Sequence, residues 1–238
     1  MEDTSKVVLI TGGTKGIGYG VAEVLLNAGY KVAITGRNLA DAQAAAERLC
    51  ANHPKCALGI EADVRNYKDQ ERAVEEVLAL WGRLDVLIAN AGLGKFATIQ
   101  EMEHDDWHQM IDTNLTGVFN SVKACIPALI EQKGYIVTIA SLAGVNFFKA
   151  GSAYNASKFG LVGFSQAIML DLRQHDVKVT TICPGSVTSH FNDHVPVPED
   201  AWKIQPEDIG QMIVDLLRMH PRTLPSKIEV RPSKPPSK

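Results

Sequence analysis

The sequence predicts an α/β fold with one doubly wound, mostly parallel sheet of seven strands and helices on both faces. Three observations carry that expectation. Short apolar runs alternate with longer helical ones along the whole 238-residue chain, the rhythm of consecutive βαβ units. The strand-like runs are near-continuously apolar rather than alternating, as strands covered on both faces must be. No repeat or linker interrupts the rhythm, so residues 1–231 are expected to form one domain. The Pro- and Lys-rich end places a disordered tail at 232–238.

The first strand is the β-branched run "KVVLIT" (6–11), followed by a helical run over 16–27 that opens with glycines. The strand "YKVAITG" (30–36) precedes an Ala-rich helix over about 39–51, and "CALGIEA" (56–62) precedes a charged amphipathic helix over 67–81. The fourth strand is "LDVLIAN" (84–90), and one long helix is expected over 105–131. "GYIVTIA" (134–140), a helix over 153–174 and "VKVTTIC" (177–183) follow. A helix over 206–218 leads to the short strand "KIEVR" (227–231).

Composition excludes several classes. With 45% hydrophobic residues and a net charge of −3, the chain can bury a full core but has no electrostatic argument for nucleic acid or an anionic membrane. No window approaches the eighteen or so uninterrupted apolar residues of a membrane-spanning helix. The start "MEDTSK" runs straight into a strand, so a cytoplasmic protein is expected. The cysteines at 50, 56, 125 and 183 form no CxxC pair and read as free thiols. His104/His108 and His190/His194 share an HxxxH spacing but lack the Glu of a zinc-protease helix, so no metal site is expected.

Chemistry begins at the first βα junction, "LITGGTKGIGYG". Gly12, Gly16 and Gly18 lie between a strand and a helix, where the backbone must turn tightly and bring N–H groups to a pyrophosphate. The spacing is neither GxGxxG nor a P-loop. About 20 residues further on, an NAD site needs an acid for the adenine ribose. This chain offers Thr35, Gly36 and Arg37 there, with Lys15 in the glycine loop. Two cations and no acid favour the 2′-phosphate of NADP(H).

The segment "SAYNASKFG" (152–160) sets Tyr154 and Lys158 one helical turn apart with small or polar residues between. Alone, the pair has a second reading, two side chains snorkelling to water. With its surroundings the chain resembles the short-chain dehydrogenase/reductase family, and the NADPH-dependent 3-oxoacyl and carbonyl reductases within it. The resemblance is carried by "TGGTKGIG" (11–18), "ADV" (62–64), "NAG" (90–92), "DTNLTG" (112–117), "IAS" (139–141), "YNASK" (154–158) and "PGSVTS" (184–189), in the family's order.

That resemblance implies a Rossmann-type domain and a catalytic tetrad of Asn114, Ser141, Tyr154 and Lys158. Tyr154 would be the general acid/base. Its ordinary pKa of ~10 would be pulled down by the Lys158 ammonium and an oxidised nicotinamide, at about 1.4 kcal/mol per unit. Ser141 would bind the substrate oxygen and Asn114 would help hold a water relay to Lys158. Cofactor contacts are implied for Gly12, Thr14, Lys15, Gly16, Ile17, Gly18 and Arg37, for Asp63 and Val64 at the adenine, and for Asn90, Ala91 and Gly92. Tyr154, Lys158, Pro184, Gly185, Val187 and Thr188 would complete the nicotinamide end.

Leu93, Phe147, Phe148, His190 and Phe191 outline a substrate pocket, with His194 on the same short loop over 188–205. Ala89 departs mildly from the family's NNAG. The end "LPSKIEVRPSKPPSK" lacks the Asp-Gly-Gly on which many tetramers are built. A homodimer or homotetramer joined through the helices over 105–131 and 153–174 is the family expectation. The expected activity is NADPH-dependent reduction of a ketone or aldehyde, a 3-oxoacyl thioester among the candidates. A polyol or hydroxysteroid dehydrogenase is the alternative, and a dinucleotide sensor without turnover a further one.

Overall fold

Four consecutive apolar residues, Val7–Ile10, all buried, form the central strand β1 of the computed structural model. The structure describes residues 5–51 and 57–234; Cys56 and residues 235–238 of the expected tail lie outside them. Around β1 stand β2 (Lys31–Gly36), β3 (Ala57–Glu61), β4 (Val86–Ala89), β5 (Tyr135–Ile139), β6 (Lys178–Pro184) and β7 (Lys227–Val230). Their spatial order is β3-β2-β1-β4-β5-β6-β7, and every pairing is parallel. Val8 faces Val32 of β2 on one side and Val86 of β4 on the other. The chain reverses its direction of winding between β1 and β4, which opens a crevice at the carboxyl ends of the strands.

Alternate strand residues feed opposite faces. Leu9, Leu87, Ile136 and Val179 enter one core with α3 (Tyr67–Trp81), α5 (Gly117–Gln132) and α6 (Ser152–Leu172). Val8, Ile10, Ile34 and Val137 enter the other with α1 (Gly16–Asn27), α2 (Leu39–Cys50) and α7 (Pro206–Arg218). Each fully buried aliphatic side chain contributes roughly 1.5–3 kcal/mol before entropy is counted. Local signals set the helix ends: the Asn38 and Asn66 carboxamides accept from Asp41 N–H (3.1 Å) and Lys68 N–H (3.0 Å). α3 stops at Gly82, in the left-handed region at φ 73°.

The helix expected over 105–131 is three pieces: α4 (His104–Ile111), a π-helical turn (Asp112–Thr116) and α5. The wide turn carries Asn114, and tertiary hydrogen bonds to that side chain compensate for the irregular backbone there. Among the described residues no helix is long and apolar enough to cross a membrane.

Candidate functional site

A cavity of about 1090 Å³ runs along the carboxyl ends of the strands, across the β1/β4 switch point. Its first part is made of backbone. Gly12 adopts φ +67°, and a Cβ there would stand 2.9 Å from Ala91 Cα, so the turn admits only glycine. Thr14, Lys15, Gly16 and Ile17 line the cavity where α1 begins. Lys15 is the N-cap of α1 and makes no side-chain cap bond, which leaves the N–H groups of the first turn available to an anion. Gly18 does not line the cavity. A Cβ on it would meet Gly12 O at 2.5 Å, so this glycine lets α1 close on the loop.

The β4 end is tied to that loop. Asn90 Nδ2 donates to Thr11 O (3.0 Å) and Gly12 O (2.9 Å), while Asn90 N–H and Ala91 N–H donate to Thr11 Oγ1 at 3.1 Å. Asn90, Ala91 and Gly92 all line the groove, as expected. At the far end Thr35 Oγ1 is buried with no hydrogen-bond partner and faces the cavity. Arg37 and Lys15 are exposed there and make no ion pair among the described residues. Asp63 and Val64 line the same end. The hydrogen bonds of Arg65 to Asp63, at 3.0 Å through Nε, hold that carboxyl below its ordinary range. Arg65 also lines the cavity; sequence reasoning missed this third cation, although it adjoins the "ADV" motif. Free helix N–H groups, a glycine cradle, an orphaned hydroxyl and unpaired cations together fit a phosphorylated dinucleotide.

The second part is built from side chains. Tyr154 and Lys158 stand on successive turns of α6, 8% and 4% exposed, and both line the cavity with Ser141. Lys158 Nζ lies 5.9 Å from the Tyr154 ring centroid and donates to Ile139 O at 3.1 Å. Burial pushes the Tyr154 phenol up to about 12, against the Ser141 hydroxyl, which pulls the other way. Burial likewise brings the Lys158 ammonium down to about 8. In place of the expected lowering by Lys158, desolvation raises the Tyr154 pKa and the Ser141 hydrogen bond is what opposes it.

Asn114 does not reach the cavity. Its Oδ1 accepts from Leu93 N–H (2.9 Å) and its Nδ2 donates to Leu93 O (2.8 Å) and Ser157 Oγ (3.0 Å). Both amide hydrogens are therefore committed within the protein, and the side chain positions Leu93 and α6. The residues between Tyr154 and Lys158 are more than small. Asn155 Nδ2 donates to Ala143 O (2.7 Å) and Asn146 O (2.8 Å), binding the Ser141 loop to α6. Ser157 Oγ joins α6 to Asn114. Two further polar residues between the Tyr and the Lys of a packed helix were the available signal.

At the open end Leu93, Phe148, His190 and Phe191 line the cavity. Phe147 does too, but at 87% exposure its ring mostly meets solvent. Pro184, Gly185 and Val187 are in place at the end of β6. Thr188 is not: the parallel bridge Val187↔Ile204 turns it outward, where its Oγ1 donates to Asp200 O and accepts from Gln205 Nε2. Ser186 and Ser189 line the groove instead. His194 faces it while pairing with Asp200, which also binds Lys203. Phe96, Arg231 and Pro232 line it unexpectedly; Pro232 had been placed in the tail and lies over Gly185. Among the described residues no cluster of three or more His, Cys, Asp or Glu could hold a metal ion.

The family model for the short chain dehydrogenases matches residues 6–199. An uncharacterized oxidoreductase of Staphylococcus aureus (strain MW2) is 31% identical over 234 residues, covering 96% of this chain and 98% of its own. An alcohol dehydrogenase from the archaeon Thermococcus sibiricus, complexed with 5-hydroxy-NADP, superposes with a TM-score of 0.91 at 26% identity, over 98% of this chain and 100% of that one. A metagenomic short-chain oxidoreductase in complex with NADP gives 0.83 at 32% identity, over 97% and 98%.

Proposed function

The chain belongs to the short chain dehydrogenase family, and from that premise we propose that it reduces a ketone or aldehyde with NADPH. The observation that supports this most is the convergence of Tyr154, Ser141 and Lys158 on one wall of a groove fitted to a dinucleotide. Bound NADPH would supply the hydride to the carbonyl carbon. The chain's own residues manage the proton. A phenol held at about 12 is fully protonated at neutral pH, the form a proton donor needs. Tyr154 Oη gives that proton to the carbonyl oxygen, and Ser141 Oγ hydrogen-bonds the same oxygen and orients it. Lys158, titrating at about 8, is close enough to neutrality to return a proton to the phenolate through water. Asn114 keeps the wall in register by tying Leu93 and Ser157 to the π-helical turn.

Gly12, Thr14, Gly16 and Ile17 would hold the pyrophosphate, Asp63 and Val64 the adenine, and Lys158 the nicotinamide ribose. Lys15 and Arg37, exposed and without an ion pair among the described residues, would grip the 2′-phosphate. NADP-type ligands in two of the similar structures support that choice. The test is oxidation of NADPH and of NADH by butane-2,3-dione. We expect kcat/KM at least about tenfold higher with NADPH, the scale of one partly screened charge-assisted contact. Equal use of both contradicts the cofactor assignment, and no turnover with either contradicts the reductase reading. The functional unit is a homodimer or homotetramer paired through α5 and α6, where Phe119, Phe159 and Leu170 stand exposed. A monomeric mass by light scattering at micromolar concentration contradicts this.

A further inference from the structure

The wall opposite the cofactor end is aromatic, and Phe96 is its hub. Phe96 meets the Tyr154 ring edge-on, centroids 5.5 Å apart at 82°. It also meets Phe148 at 5.6 Å and 65°, and Phe191 at 6.3 Å and 56°. Phe191 in turn stands 5.5 Å from Tyr154. Rings pack favourably in such edge-to-face and tilted arrangements. Phe191 also lies over Gly94, where an added Cβ would stand 2.1 Å from Cζ. The bare backbone of Gly94 makes room for the Phe191 ring and so lets it reach Tyr154 and Phe96. Phe96 and Phe148 remain 43% and 46% exposed, so ring surface faces the open groove beside the proton donor.

Lys203, His194 and Arg231, which line this end together with His190, are already committed. Lys203 Nζ lies 2.5 Å from Asp200 Oδ1, His194 Nε2 bonds the other oxygen, and Arg231 pairs with Glu229 at 3.1 Å. A carboxylate or phosphate entering here would lose water and find those partners taken. A flat uncharged ring would find three others.

We propose that the Phe96–Phe148–Phe191 nest is a specificity subsite, with Phe96 its principal determinant, and that it selects uncharged carbonyl compounds bearing an aryl ring beside the reacting group. The proposal rests on the reading of the site as a carbonyl reductase. It is tested with 1-phenylpropane-1,2-dione against butane-2,3-dione, which share an activated dicarbonyl and differ by phenyl for methyl. Acetoacetyl-coenzyme A serves as the charged competitor. The wild type should favour the phenyl diketone at least tenfold in kcat/KM, through KM. Phe96→Ala should bring that ratio toward one, and Phe96→Leu, which keeps bulk without a ring and guards against a misfolded Ala variant, should fall between. A wild-type ratio near one, a ratio that survives both substitutions, or a higher kcat/KM for acetoacetyl-coenzyme A overturns the proposal. Should neither diketone turn over, the reductase reading fails and the subsite is read by calorimetric titration of the protein saturated with NADP⁺. Phenyl diketone binding at least tenfold tighter than butanedione, abolished in Phe96→Ala, supports the subsite; equal or undetectable binding overturns it.

Discussion

The half of the groove over β1, β2 and β3 is made of backbone, while the half over β4, β5 and β6 is made of buried side chains. In the first, glycine turns and the uncapped start of α1 present N–H groups, and the charged residues Lys15 and Arg37 stand exposed at the rim. In the second, Tyr154 and Lys158 line the groove and Asn114, Asn155 and Ser157 stand behind them, each under 9% exposed. Hydrogen bonds tie them to three different segments. Dipoles and rim cations grip phosphate over a tolerant range of geometry. Proton transfer needs donors fixed to within a few tenths of an ångström. The two constructions therefore separate affinity from chemistry, and substitutions should reveal that separation.

Lys158 breaks it most severely because it serves both halves: a Cβ added at Gly92 would lie 3.5 Å from its Nζ, between the cofactor strand end and the catalytic helix. Lys158→Met should lower kcat/KM for NADPH reduction by about a thousandfold or more, with both the Kd for NADPH and kcat affected. A change confined to either would show that Lys158 belongs to one half alone. Asn114→Ala stays within the second half. It strands the N–H and C=O of Leu93, so we expect a loss of about 1–3 kcal/mol in urea unfolding and a ten- to hundredfold fall in kcat. The Kd for NADPH should move less than threefold, as titration of its fluorescence would show.

Arg37→Asp with Lys15→Ala probes the first half. It should reverse cofactor preference, raising KM for NADPH about tenfold or more while kcat stays within threefold. Unchanged preference would make both cations surface ornaments. The smallest effect is on stability. The Lys158 pKa falls from 10.5 in the unfolded chain to about 8 in the fold. Between those values the unfolded state binds more protons, so stability rises with pH. Thermal melts should show wild type gaining on Lys158→Met from about pH 8 to pH 10, and a pH-independent gap would contradict the burial of that charge.

The same division governed how much could be read from sequence. The sheet was legible because apolar runs such as "VVLI" and "VLIA" declare strands buried on both faces. The bounds of α1, α3 and α7 match the helical runs read over 16–27, 67–81 and 206–218. The backbone-built half followed from its glycine spacing and missing acid. What escaped depended on tertiary contacts. The π-helical turn at Asn114 sits inside an unbroken helical pattern, and only the hydrogen bonds to Leu93 distinguish it. Thr188 was assigned inward because nothing local announces the Val187↔Ile204 bridge. The Tyr154 pKa was argued from its charged neighbour, whereas burial, invisible in one dimension, is its largest cause and raises it. Phe96 belongs to an irregular segment between β4 and α4 and acquires meaning only when folded against Tyr154.

The most direct test of the divided groove is Tyr154→Phe, measured twice on the same preparation. The substitution removes one oxygen and little packing. We expect the Kd for NADPH to remain within threefold of wild type while kcat on a good diketone falls by at least a hundredfold, about 2.7 kcal/mol of transition-state stabilisation. A variant that keeps more than about a tenth of wild-type kcat, a loss under ~1.4 kcal/mol, would show that Tyr154 is not the proton donor.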